Sequence, residues 1–107
     1  MATKKEFLDF MLDQLSEIDG ITTRLMMGEY ILYRHGKIAA YLCDDQLLVK
    51  PVPSAIRLMP DAQFVAPYAG AKDMLLVENV DDRGFLKELF EAMYPELPEP
   101  KKKAKKA

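Results

Sequence analysis

The chain has 107 residues, half of them hydrophobic, and a formal net charge of −2, the size and composition of one domain that buries a core without disulfide or metal staples. A single cysteine, Cys43, excludes an internal disulfide, and no apolar run approaches the roughly 18 residues of a membrane helix. The charge is uneven: the C-terminal KKKAKKA holds five of the 15 basic residues and no acid, leaving 10 basic against 17 acidic residues before it, so the body of the chain would repel a phosphate backbone.

Residues 1–96 are expected to form one domain and residues 97–107 a disordered, lysine-rich tail. The opening MATKKEFLDF lacks the basic-then-apolar layout of a signal peptide. A reducing cytoplasm is the expected location.

TKKEFLDFMLDQLSEIDG predicts an amphipathic helix. Thr3 and Glu6 have capping-box spacing, Phe7, Leu8, Met11, Leu15 and Ile18 form a stripe at helical period, and Gly20 suits the C-terminal end. Phe10 and Leu12 widen the stripe, so more than one flank of the helix should be covered.

From Ile21 to Val49 the period changes to two, the signal of an antiparallel meander. With two-residue loops at His35-Gly36 and Asp44-Asp45, Ile31, Tyr33, Ile38, Ala40, Leu42, Leu47 and Val49 share one apolar face, expected under the helices. Tyr30, Leu32, Arg34, Lys37, Ala39, Tyr41, Cys43, Gln46, Leu48 and Lys50 share the other. That second face is too apolar for bare solvent and too charged for a sealed core. Arg34 opposite Lys37 calls for a nearby acid or a longer loop, and Asp-Asp, a poorer primed turn than Asp-Gly, suggests a bulge.

After KPVPS, residues Ser54 to Met59 predict a short helix closed by Pro60, and QFVAPYAGAK reads as irregular chain. DMLLVEN predicts a strand interior to a sheet. Asp81 or Asp82 can cap a last helix whose Phe85, Leu86, Leu89, Phe90 and Met93 share one side, ended by Pro95. The order gives a two-layer α+β fold with the N- and C-terminal helices packed on one face of an antiparallel sheet.

Chemistry is sparse. His35, the single histidine, stands at a hairpin tip where a residue tolerating positive φ is needed. Cys43 lies beside two acids, which disfavour a thiolate, and is read as packing. Asp44-Asp45 and Asp81-Asp82 sit where turns and caps want aspartate. Catalytic, metal-binding and cofactor-binding residues are therefore not expected, and the chain reads as a non-enzyme. Lys101, Lys102, Lys103, Lys105 and Lys106 could grip nucleic acid, and Tyr30, Tyr41, Leu32 and Leu48 with the basic residues beside them resemble an aromatic platform. The same residue types are enriched at protein interfaces.

The stretch RLMMGEYILYRHGKIAAYLCDDQLLVKP resembles the N-terminal domain of the TfoX/Sxy family of bacterial competence regulators. Arg24, Met26, Gly28, Tyr30, Leu32, Tyr33, Gly36, Asp45, Leu47 and Lys50 stand at that family's motif positions, with Met27, His35 and Leu48 replacing its usual Phe, Asp and aromatic. The resemblance implies a small, often dimeric α+β domain of secretion-chaperone-like topology, without enzymatic activity, that assists transcription of DNA-uptake genes. It marks Arg24, Met26, Gly28, Tyr30, Tyr33, Gly36, Lys37, Tyr41, Asp45, Leu48 and Lys50 as motif or interaction positions. The expected partner is a second copy or another protein, with nucleic acid as the alternative and no membrane.

Overall fold

The alternating segment folds as four antiparallel strands, β1 (Ile21–Met26), β2 (Glu29–Arg34), β3 (Lys37–Cys43) and β4 (Gln46–Val49), in a computed structural model that describes residues 3–98. Each connection is a two-residue turn: Met27-Gly28 at φ 54° and 85°, His35-Gly36 at 49° and 83°, Asp44-Asp45 at 52° and 59°. Left-handed backbone at both positions matches the twist of the flanking strands. The suggested bulge at Asp44-Asp45 is absent, and Cys43 pairs directly with Gln46. Aspartate accepts left-handed backbone well enough to make the turn alone.

The bulge lies one hairpin earlier. Tyr33 pairs with Ile38, but the next pair is Leu32 with Ala40, followed by Ile31 with Tyr41 and Tyr30 with Leu42. Ala39 is the extra residue, and both Ala39 and Ala40 point into the main core. Two methyl groups fit where one larger side chain would otherwise face Leu32, which explains the Ala-Ala pair. The expected register fails at this point, because one inserted residue flips every side chain beyond it. Tyr30, Leu32 and Arg34 therefore lie on the helix side, and Ile31 and Tyr33 on the open side.

Strand β5 (Phe64–Val65) and strand β6 (Met74–Val77) complete a six-stranded sheet in the order β1-β2-β3-β4-β6-β5. β6 is interior, as its apolar run predicts. β5 falls in chain expected to be irregular, and its two residues are too few to leave a periodic signal.

Helices α1 (Lys5–Gln14), α2 (Pro53–Leu58) and α3 (Arg83–Met93) cover one face. Leu8, Met11 and Leu15 from the α1 segment and Leu86, Leu89, Phe90 and Met93 from α3 pack on Leu32, Leu42, Leu47, Val49, Leu75 and Val77. This is the α+β arrangement that the element order predicts. Leu97 joins the same core. Phe10 and Leu12 are exposed, so the wider stripe of α1 stays uncovered among the described residues. Asp82 caps α3 by accepting from the Phe85 amide at 3.0 Å.

The Thr3 and Glu6 capping box does not form. Thr3 is buried, its hydroxyl 2.8 Å from Glu29 Oε1 and 2.9 Å from the Leu42 carbonyl, and its amide donates to the Gly28 carbonyl at 3.0 Å. Asp45 takes the capping place, its Oδ1 accepting from the Lys4 amide at 2.8 Å. A carboxylate at this end also suits the helix dipole. Thr3 thus straps the Met27-Gly28 turn to the Asp44-Asp45 turn.

Candidate functional site

The face of the sheet turned away from the helices has its own small core. Cys43, Leu48 and Met74 are buried there against Tyr41, Val65 and Leu76. Leu48, expected to be displayed, is fully buried, because the β5–β6 segment folds across this side. Burial, and then Glu29 and Asp44, push the Cys43 thiol up to about 11, so it stays protonated and serves as packing.

Beyond this core the face opens into two clefts that share Tyr41 and Tyr68. One, of about 600 Å³, is lined by Met26, Met27, Glu29, Tyr41, Tyr68 and Ala69. The other, of about 260 Å³, has Lys50, Lys72 and Asp73 beside the same tyrosines. The Tyr41 and Tyr68 rings lie 6.4 Å apart. Burial, and then Tyr68 and Tyr33, raise the Tyr41 pKa above its ordinary value. Met27 is 93% exposed and carries left-handed backbone, which costs a side-chain-bearing residue about 1 kcal/mol. Such an outlier at a surface is a pointer to function.

Glu29 is already engaged, since Oε1 accepts from the Thr3 hydroxyl and from the Asp44 amide at 3.2 Å. It shapes the cleft floor and ties the hairpin end to β3. The cleft brings Tyr68 together with an acid, while Arg24 stands on the same face on β1, opposite Ile31.

At the other end of β2 one basic side chain is enclosed while its acidic partners stay exposed. Arg34 is 5% exposed. Its Nε donates to the Asp19 carbonyl at 3.1 Å, one terminal nitrogen to Asp19 Oδ1 at 3.0 Å and Glu91 Oε2 at 3.4 Å, and the other to the Phe90 carbonyl at 3.5 Å. Tyr94 lies 5.2 Å beneath the guanidinium, 4.5 Å from Lys37 Nζ and 5.5 Å from the His35 ring. Arg34 and Lys37 do face each other, and acids of the same chain with an aromatic ring relieve the repulsion. Arg34, chiefly by hydrogen bonding, holds the Asp19 carboxyl below the usual carboxylate range.

The structure therefore divides the motif positions. Met26 and Tyr41 line the larger cleft, Lys50 borders the smaller, and Tyr33 and Arg24 share their face. Tyr30 and Lys37 are corrected to the helix side, Gly28 and Gly36 make turns, and Asp45 caps α1. Lys101, Lys102, Lys103, Lys105 and Lys106 lie outside the described residues. Glu29, Ala69 and Lys72 belong to the clefts without having been singled out, and Met27, noted only as standing where the resembled motif has Phe, lines the larger one. A bulky apolar residue before the glycine of a primed turn is the signal that points to Met27. Among the described residues, no group of three or more His, Cys, Asp or Glu could hold a metal ion.

Over 107 residues the chain is 32% identical to a protein described as "Uncharacterized 12.7 kDa protein in trpE 5'region" of Spirochaeta aurantia, a match covering 98% of this chain and 93% of the other. The chain belongs to the family of that protein. The match runs nearly from end to end of both. No family model matches the chain, and no solved structure matches it. Among the described residues no helix is long and apolar enough to cross a membrane.

Proposed function

We propose that the protein is a non-catalytic interaction domain that holds a segment of another protein on the open face of its sheet. The segment carries an apolar or aromatic anchor with an acidic residue close by. The observation that supports this reading most is the cleft of about 600 Å³ between Met26, Met27, Tyr41, Tyr68 and Ala69, because flexible methionines and rigid tyrosines are the side chains that adapt to an apolar anchor. Lys50 and Lys72, next to the same tyrosines in the adjoining cleft, supply the partner for the acid. The TfoX/Sxy-like motif, with Met26, Tyr33, Tyr41 and Lys50 on this face, favours a regulatory role beside the transcription machinery in the cytoplasm.

A random-peptide phage library panned against the wild-type protein and against Tyr41→Ala/Tyr68→Ala tests this. Enriched peptides should share an apolar anchor with a neighbouring Asp or Glu, and should bind the double variant at least about tenfold more weakly. Equal enrichment on both proteins, or none on either, would refute the reading. Salt-steep capture of oligonucleotides in place of peptides would move the assignment to nucleic acid.

A further inference from the structure

Strand β1 ends the sheet, and among the described residues no strand pairs with its outer edge. The opposite edge, β5, has only two residues, whereas β1 has six, Ile-Thr-Thr-Arg-Leu-Met, with one charge, no proline and no lysine. Edges of that length and composition are what soluble proteins otherwise blunt.

The direction of each backbone group along β1 follows from its pairing. Met26 and Glu29 flank a two-residue turn, and the His35 amide donates to the Gly20 carbonyl at 2.8 Å. Hydrogen-bonded pairs alternate with non-bonded ones along an antiparallel ladder. Gly20, Thr22, Arg24 and Met26 therefore turn their amides and carbonyls toward β2. Ile21, Thr23 and Leu25 turn theirs outward.

The geometry points to a second copy of this chain on that edge, β1 against β1 in antiparallel register, with the two-fold axis at Thr23. This register sets Ile21 opposite the partner's Leu25 and Thr23 opposite the partner's Thr23. All three outward-facing residues are then used on each side, in a ladder of about six backbone hydrogen bonds. On the helix side, Leu25, 62% exposed in the single chain, is covered by the partner's Ile21. On the open side, Arg24 faces the partner's Thr22. Moving the register by one hydrogen-bonded step centres it on Arg24 and sets the two guanidiniums against each other, which like charge disfavours. The step the other way leaves Leu25 without a partner. The strand is thus complementary to itself in one register, and a two-fold pairing is closed and leaves no further long edge.

Light scattering against concentration, combined with cysteine cross-linking, tests the pairing. Wild-type protein should pass from monomer to twice the chain mass as concentration rises. Thr23→Pro removes an outward amide and leaves the β2-facing ones intact, and should weaken the dimer about tenfold or more. Leu25→Lys should do the same without touching the backbone. Thr23→Cys should form an intermolecular disulfide under mild oxidation, since hydrogen-bonded antiparallel neighbours stand about 5.5 Å apart, within disulfide reach. Arg24→Cys and Leu25→Cys should cross-link far more slowly, and the buried Cys43 does not compete. A wild-type monomer at every concentration, a dimer unmoved by both Thr23→Pro and Leu25→Lys, or Arg24→Cys cross-linking as readily as Thr23→Cys would each overturn the inference. Repeating the peptide panning on a monomeric edge variant separates failure of the edge from failure of the cleft.

Discussion

The two ends of β2 carry the same turn and put it to opposite uses. At Met27-Gly28 and at His35-Gly36 a non-glycine residue near φ 50° precedes a glycine near 85°. The His35 end is packed: Asp19 Oδ2 lies 3.6 Å from its Nε2, Tyr94 meets its ring, and a Cβ on Gly20 would come within 2.5 Å of the imidazole. Met27 is left in the open beside a cleft. One backbone conformation thus serves once to lock the chain and once to display a side chain. The surroundings make the difference, and substitutions at the two ends should separate stability from binding.

The largest effect is expected at the locked end. Arg34→Ala removes four hydrogen bonds and a stacked guanidinium, and should cost about 2–3 kcal/mol, limited because the acids it leaves behind are exposed. For a domain of this size that is a fall in Tm of about 10–20 °C by calorimetry. Arg34→Lys should recover only part of it, since an ammonium cannot reach acceptors on two sides.

Gly20→Ala comes next, at about 1–2 kcal/mol, from its φ of 81° and the displaced His35 ring. Combined with His35→Ala the cost should be less than additive in urea unfolding, because the second change removes the clash. A strictly additive pair would mean that the two residues do not press on each other.

Met27→Asn should act in the opposite direction. Asparagine accepts left-handed backbone, so stability should rise by about 0.5–1 kcal/mol while affinity for a selected peptide falls. A variant that loses both would place Met27 with the locked end.

The smallest effect concerns pH. The Asp19 carboxyl is depressed by Arg34, so its contribution is present above the ordinary carboxylate range and is lost as pH falls through that range to the lowered value. Asp19→Asn should lower stability slightly near neutrality, the loss fading as pH falls below about 4, so that the acid side of the stability profile flattens.

How far the sequence foretold these two ends follows from where its signals are local. The two-residue turns at His35-Gly36 and Asp44-Asp45, the stripes of α1 and α3 and the interior place of β6 were legible, because each rests on residues close together in the chain. The faces of β2 were not. The Ala39 bulge inverts them, and its trace, two small residues in succession, is the same as that of an ordinary alternating strand. The capping of α1 was missed for a related reason. Thr3 and Glu6 satisfy a local rule, but Thr3 is drawn to Gly28, Glu29 and Leu42, and Asp45, 41 residues from Lys4, takes its place. The Arg34 cluster likewise joins Asp19, Arg34 and, at the end of α3, Glu91 and Tyr94 from three separate segments. Of the two clefts, Met26, Tyr41 and Lys50 were marked by the resemblance, while Glu29 and Lys72 became visible only when β2 and the segment before β6 were placed on the sheet.

The proposal places binding at the Met27 end of β2 and stability at the His35 end. Its most direct test is a titration of the isotopically labelled protein with a library-selected peptide, followed by amide chemical shifts. Shifts should gather at Met26, Met27, Glu29, Tyr41, Tyr68 and Ala69, with Asp19, Arg34, His35, Lys37 and Tyr94 unmoved. Shifts centred on Arg34, His35 and Tyr94, with the cleft silent, would contradict the account.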